Sequence, residues 1–70
     1  MTVGHMGDQA RWEIQEVMDR YRSHARACEQ NALAGKDPLL NQVNRHRARE
    51  WHQRADEQAA RLKEYDRSRA

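Results

Sequence analysis

The sequence predicts an all-α protein in which two long amphipathic helices are joined by a tight turn into an antiparallel hairpin. Apolar residues recur at steps of three and four along most of the chain, which is the helical period. One Asp-Pro pair near the middle interrupts this pattern. A length of 70 residues leaves room for a single domain, residues 1–70.

The first predicted helix covers residues 8–34. Asp8 is a residue type that accepts hydrogen bonds from the free amides of a first helical turn. The apolar residues that follow form one stripe along the helix: Ala10, Ile14, Val17, Met18, Tyr21, Ala25, Cys28 and Ala32. Residues 1–7 are left outside the fold prediction, as a flexible N-terminal segment or the remnant of a tag.

The predicted turn covers residues 35–37. Gly35 is suited to end the first helix in the left-handed conformation. Asp37 then serves as the N-cap of the second helix, and Pro38 occupies its first position, where a missing amide costs nothing. So short a connection forces the two helices to be antiparallel neighbours.

The second predicted helix covers residues 38–67 and carries its own stripe: Leu40, Val43, Ala48, Trp51, Ala55, Ala59, Leu62 and Tyr65. Folding about the turn places Tyr21 near Trp51 and Ile14 near Ala59, so that large residues often face small ones.

A chain this short rarely builds a sufficient core without a disulfide, a metal or oligomerisation. Cys28 is the only cysteine, so no intrachain disulfide can form. We therefore expect a homodimer in which two hairpins pack stripe to stripe as a four-helix bundle; a different protein partner and a monomer are the alternatives. The expected core is Ile14, Val17, Met18, Tyr21, Leu40, Val43, Trp51 and Leu62. Asn44 and Gln58 interrupt the second stripe, where polar residues either fix register and oligomeric state or reach water.

Trp12 lies opposite the stripe of the first helix. An exposed tryptophan on a charged helix is a typical anchor for a protein partner. The alternative is that Val3 and Met6 fold back over it.

The basic segment of the second helix suggests a function of another class. Arg45, Arg49 and His52 are expected to point outward together, as in helices that bind nucleic acid through phosphate contacts. The alternative is a solvated or ion-paired surface. Residues 8–34 contain four arginines and five acids, a net charge of −1, and residues 35–70 contain nine basic and six acidic residues, a net charge of +3. This asymmetry is mild for a nucleic-acid-binding protein.

Catalysis and cofactor binding are not predicted. His24 and Cys28 are four residues apart, a spacing that would let both bind one metal ion. The simpler interpretation is a small buried cysteine beside a histidine at the boundary of the stripe. No metal is predicted. The other histidines have no carboxylate or thiol at a spacing that suggests a base and a nucleophile, and no glycine-rich phosphate loop occurs. No stretch approaches 18 apolar residues and no hydrophobic signal core is present, which predicts a cytoplasmic protein that does not contact the membrane.

In length, turn position and stripes the chain resembles Rop, a plasmid RNA-regulating helical hairpin that dimerises into a four-helix bundle. That resemblance implies a dimer that binds nucleic acid. Asp19, Ser23, Arg26 and Gln30 also resemble the Glu-x3-Ser-x2-Arg-x3-Gln-x3-Asp motif of the cyclic-di-GMP-binding anti-sigma factors of streptomycetes, although the first acid is aspartate and the last position is Ala34.

Taken together, these patterns predict a non-catalytic helical interaction module that self-associates and binds a protein partner through Trp12. It would act as a regulator, an adaptor or an assembly subunit, and its composition is typical of a high-GC bacterium or phage. The alternative is a nucleic-acid-binding dimer that uses Arg45, Arg49 and His52.

Overall fold

The protein is an antiparallel hairpin of two helices of 32 residues each, which confirms the predicted fold class. A computed structural model describes the backbone of residues 3–69 and the side chains of residues 9–68. Helix α1 spans Val3–Ala34, and helix α2 spans Pro38–Arg69. The two helices pack along their length, and the chain measures 54 × 19 × 10 Å.

Helix α1 begins at Val3 rather than near Asp8. Asp8 therefore lies within the helix and is not its N-cap, because residues 3–7 contain no proline to prevent helical hydrogen bonding. Since the backbone continues as a helix through this segment, it does not turn back over Trp12; the side chains of Val3 and Met6 lie outside the described residues. Helix α2 ends at Arg69, two residues beyond the predicted end.

The turn matches the prediction at Asp37 but differs from it at Gly35. Asp37 is the N-cap of α2: its Oδ1 accepts a hydrogen bond from the backbone amide of Leu39 at 3.0 Å. Gly35 does not have a positive φ, so the predicted left-handed conformation is wrong. A Cβ at Gly35 would overlap the side chain of Asn41, which would have to move. That side chain donates a hydrogen bond from Nδ2 to the carbonyl oxygen of Gly35 at 2.9 Å.

The buried core consists of alanine. Among residues 9–68, the hydrophobic side chains that are buried belong to Ala25, Ala32, Ala48 and Ala55, each at most 5% exposed. The two alanines of each helix are seven residues apart, so they lie on the same side of their helix and form a line between the two helices. We call these four residues the alanine seam. Small side chains there let the helices approach closely, but they bury little apolar area.

Contacts between the helices distinguish the two sides of this seam. On one side, which we call the polar face, Arg11 pairs with Asp66 at 3.2 Å and Arg22 pairs with Asp56 at 2.9 Å. On the other side Tyr21 packs against Trp51, with the ring centroids 5.6 Å apart. The helical period places most bulky apolar residues on this second side. We call it the apolar face, and its members are Ile14, Val17, Tyr21, Cys28, Leu40, Trp51 and Tyr65. Leu62 lies at the boundary between the two sides, where it also lines a depression on the polar face.

Candidate interaction surfaces

The centre of the apolar face is a cluster around Trp51. Tyr21 lies at a 31° tilt to the indole ring, and the His24 ring stacks on it with centroids 4.6 Å apart. From the next turn of α2, the guanidinium carbon of Arg54 lies 4.8 Å from the ring centroid. Aromatic pairing and a cation over the ring hold the indole in place. The tryptophan remains only half-buried despite these three neighbours.

The rest of the apolar face is also incompletely covered. Most of its residues are half-buried, and Leu40 is 59% exposed. Val43, which was predicted in the core, lies at the edge of this face and is 44% exposed. Met18, also predicted in the core, is half-buried and lies on the polar side, where it lines a depression with Asp56 and Lys63.

Asn44 and Gln58 lie on the apolar face as well, and both are half-buried. Neither side chain hydrogen-bonds to another described residue. A role in register and contact with water therefore both stay predictions for these two amides.

The polar face contains a four-residue network. Arg22 donates hydrogen bonds from its two terminal nitrogens, one to Nδ1 of His52 and one to Asp56, both at 2.9 Å. Nε2 of His52 lies 3.2 Å from a carboxylate oxygen of Glu29. A guanidinium can only donate, so Nδ1 accepts, and Nε2 carries the proton that is shared with Glu29. The network therefore links both helices through a neutral imidazole.

The predicted nucleic-acid residues lie together, though not in the predicted orientation. Arg45, Arg49 and His52 line one groove of about 490 Å³, whose floor includes Ala32 and Ala48. His52 does not point outward with the two arginines, because Arg22 and Glu29 hold it against α1. The groove also contains the Glu29 carboxylate, which offsets part of its positive charge.

Trp12 is exposed, as its position opposite the stripe predicts. It is 60% exposed and lines a shallow depression of about 270 Å³ on the outside of α1. The depression also contains Glu16, which pairs with Arg20 at 3.0 Å, and Val17 from the edge of the apolar face. Trp12 thus lies away from the alanine seam and does not contribute to the hairpin core.

The described residues bring His24 and Cys28 to the same face without further metal-binding groups. The His24 ring is occupied by stacking on Trp51, and Cys28 is a half-buried free thiol. Within residues 9–68, no group of three histidine, cysteine, aspartate or glutamate side chains could hold a metal ion.

Sequence reasoning missed two features. Leu33 and Leu39, near the turn, are 86% and 72% exposed and lie outside both stripes. It also missed the ion pairs between the helices, such as Arg11 with Asp66. In the sequence, these ion pairs are indicated by opposite charges beside the apolar stripes of the two helices. The charges can be matched into pairs only once the register of the hairpin is known.

Comparison of the chain with protein-family models, curated proteins and solved structures gave no match. In the described part of the chain, neither helix is long and apolar enough to cross a membrane. Ser23, Arg26 and Gln30, which carry the resemblance to the anti-sigma factors, are all exposed on α1.

Proposed function

We propose that this protein is a non-catalytic helical interaction module, which self-associates through its apolar face and binds a protein partner through the outer surface of α1. The observation that carries this proposal is the composition of the core. The buried residues among positions 9–68 are four alanines, whereas Tyr21, Trp51 and the other bulky apolar residues keep part of their surface in water.

Burial of apolar surface contributes about 25 cal/mol per Å², so the alanine seam alone contributes little stability. A second copy placed on the apolar face would cover the remaining surface of Ile14, Tyr21 and Trp51 and build a core of ordinary size. The polar face is less suited to this contact, because its charged side chains already pair with each other.

Self-association is tested by light scattering across a concentration series. We expect a mass twice the 8.3 kDa of the chain. Val17→Asp, on the apolar face, should shift the protein to a monomer, because a carboxylate would be buried at the contact. Gln15→Asp, an exposed position on the same helix, is the matched control and should remain a dimer. A wild-type protein that melts cooperatively as a single copy would disprove self-association.

The proposed partner site is Trp12 with the depression around it. An exposed tryptophan has a large apolar surface and few rotatable bonds, which makes it a frequent hot spot at protein interfaces. The indole lies on the other side of α1 from the alanine seam, so it stays accessible to a partner while the apolar face is covered. Val17, which also lines the depression, would be covered by the second copy.

This part of the proposal is tested with Trp12→Ala. We expect the melting temperature and the mass to stay unchanged while partners captured from a lysate are lost. Leu33→Ala, which removes a side chain that is even more exposed, is the control and should retain capture. A Trp12→Ala protein that unfolds would place the indole in the core and remove the anchor.

Nucleic-acid binding is the second candidate, and the groove on the polar face favours it. Arg45 and Arg49 lie one turn apart there, and neither forms an ion pair with a described residue. Phosphate contacts would make RNA or DNA binding fall steeply between ~50 and ~200 mM salt. Arg45→Gln with Arg49→Gln should abolish such binding, whereas Arg67→Gln, outside the groove, should preserve it. No binding at the lower salt concentration would eliminate this function.

A further inference from the structure

We infer that the two copies pack with their turns at the same end of the bundle, so that α1 of each copy lies beside α2 of the other. This inference rests on the proposed self-association through the apolar face. It adds the orientation of the second copy, which the charges along the edges of that face determine.

Two hairpins that meet face to face can be related by a twofold axis in two ways. An axis parallel to the helices puts both turns at one end and places α1 against α2 of the second copy. An axis across the helices puts the turns at opposite ends and places α2 against α2, and α1 against α1. The residues at the outer edge of each helix therefore meet different neighbours in the two arrangements.

The outer edge of α2 on the apolar face carries a row of three arginines, and the one acid beside this row, Glu50, lies 3.8 Å from His46. Arg47, Arg54 and Arg61 are spaced seven residues apart, so they lie along one line of the helix, and all three are exposed. None of them forms an ion pair with a described residue, and only Arg54 has a partner of another kind, the Trp51 ring.

With the turns at opposite ends, this row would face the same row of the second copy. Each guanidinium group would then lie within about one Debye length, ~8–10 Å at physiological salt, of a guanidinium group of the second copy. Like charges at such positions disfavour an interface, as they do between the helices of a coiled coil. This repulsion argues against the arrangement with opposite turns.

With the turns at the same end, the arginine row faces the outer edge of α1. That edge carries Glu13 and Val17, and its one arginine, Arg20, is already paired with Glu16. Because residues equally far from the turn lie side by side, Glu13 of one copy falls within about one helical turn of Arg61 of the second copy. Among the residues whose side chains are described, Glu13 bonds only to the Gln9 amide, at 3.3 Å, so its carboxylate has capacity for a cation.

The same arrangement brings the aromatic clusters together. Tyr21 and Trp51 are equally far from the turn, so both copies would contribute them to one layer of four rings. The face is also large enough. Its dimensions of 54 by 19 Å give about 1,000 Å², compared with the ~800 Å² that each partner buries in a standard interface.

The test is a distance between the two turns. Lys36 lies in the exposed turn, and a spin label on Lys36→Cys, in a Cys28→Ala background, reports the separation of the two copies by double electron–electron resonance. Neighbouring helices pack ~8–10 Å apart, so turns at the same end predict a distance below about 30 Å. Turns at opposite ends predict about 50 Å, the length of a 32-residue helix.

A charge exchange tests the same contact without touching Cys28. Glu13→Lys should raise the dissociation constant at least tenfold, and adding Arg61→Glu should restore it. Arg61→Glu alone should also weaken the dimer if the inference is correct, but should strengthen it if arginine rows face each other.

The outcomes separate the two proposals. A dimer with a label distance near 50 Å, or one strengthened by Arg61→Glu, would overturn the orientation and leave self-association intact. A single-copy mass with no dipolar coupling at high protein concentration would overturn both.

Discussion

Arg22 and His52 form a hydrogen bond of 2.9 Å that fixes the tautomer of the imidazole. The guanidinium has no acceptor, so Nδ1 of His52 must be unprotonated, and Nε2 donates to Glu29. The ring thus connects the two helices in its neutral form, and protonation of Nδ1 would break the contact with Arg22.

We predict that His52 is the Nε2–H tautomer whenever it is neutral. Two-dimensional ¹⁵N NMR of the ring at about pH 8 should show a protonated Nε2 and an unprotonated Nδ1. Arg22→Met should reduce this preference. His46, which lies on the exposed side of α2 with its Nε2 3.8 Å from a carboxylate oxygen of Glu50, is the internal control. Identical ring spectra for His46 and His52 would contradict the prediction.

The alanine seam should not tolerate a larger side chain. Ala25→Leu inserts three carbon atoms between helices that pack closely, and overpacking of this kind costs about 1–3 kcal/mol of unfolding free energy. Ala27→Leu, on the exposed side of the same helix, should be nearly neutral. Urea denaturation followed by circular dichroism measures both. If the two variants have the same urea midpoint, close packing at the seam does not stabilise the hairpin.

The N-cap of α2 should contribute measurably to stability. Asp37→Ala removes the acceptor for the Leu39 amide and should cost about 1 kcal/mol. Asp37→Asn keeps an oxygen in the same position and should retain most of that stability. Thermal melts of the two variants distinguish loss of the cap from loss of the charge, because equal losses in both would assign the effect to charge.

Gly35 and Asn41 should be energetically coupled. A Cβ on Gly35 displaces the Asn41 side chain and breaks its hydrogen bond to the Gly35 carbonyl. Gly35→Ala should therefore be less favourable in the wild-type chain than in an Asn41→Ala background, by at least about 0.5 kcal/mol in a double-mutant cycle. Additive effects would show that the two residues do not constrain each other.

The sequence alone predicted the architecture because the helical period and the Asp-Pro pair are local signals. The pairing of Tyr21 with Trp51 also followed, since a three-residue turn fixes which residues lie side by side. The start of α1 was missed, because the capping preference of Asp8 is weak beside continued helical hydrogen bonding.

The division into a polar and an apolar face could not be predicted from the stripes. Each stripe is wide enough to cover both sides of the seam, so Met18 and Tyr21 look equivalent in sequence although they lie on different sides. The position of His52 was missed for a similar reason, because its partners Arg22 and Glu29 are 30 and 23 residues away along the chain.

The alanine seam separates two properties that most small proteins combine in one core. Methyl groups at four positions lie between the helices and are buried, whereas the bulky residues beside them keep part of their surface exposed. A designer could therefore exchange residues such as Ile14 or Leu62 to alter which molecule the hairpin recognises while keeping the same backbone. Related chains should be found by the seven-residue spacing of small residues on both helices rather than by their large side chains.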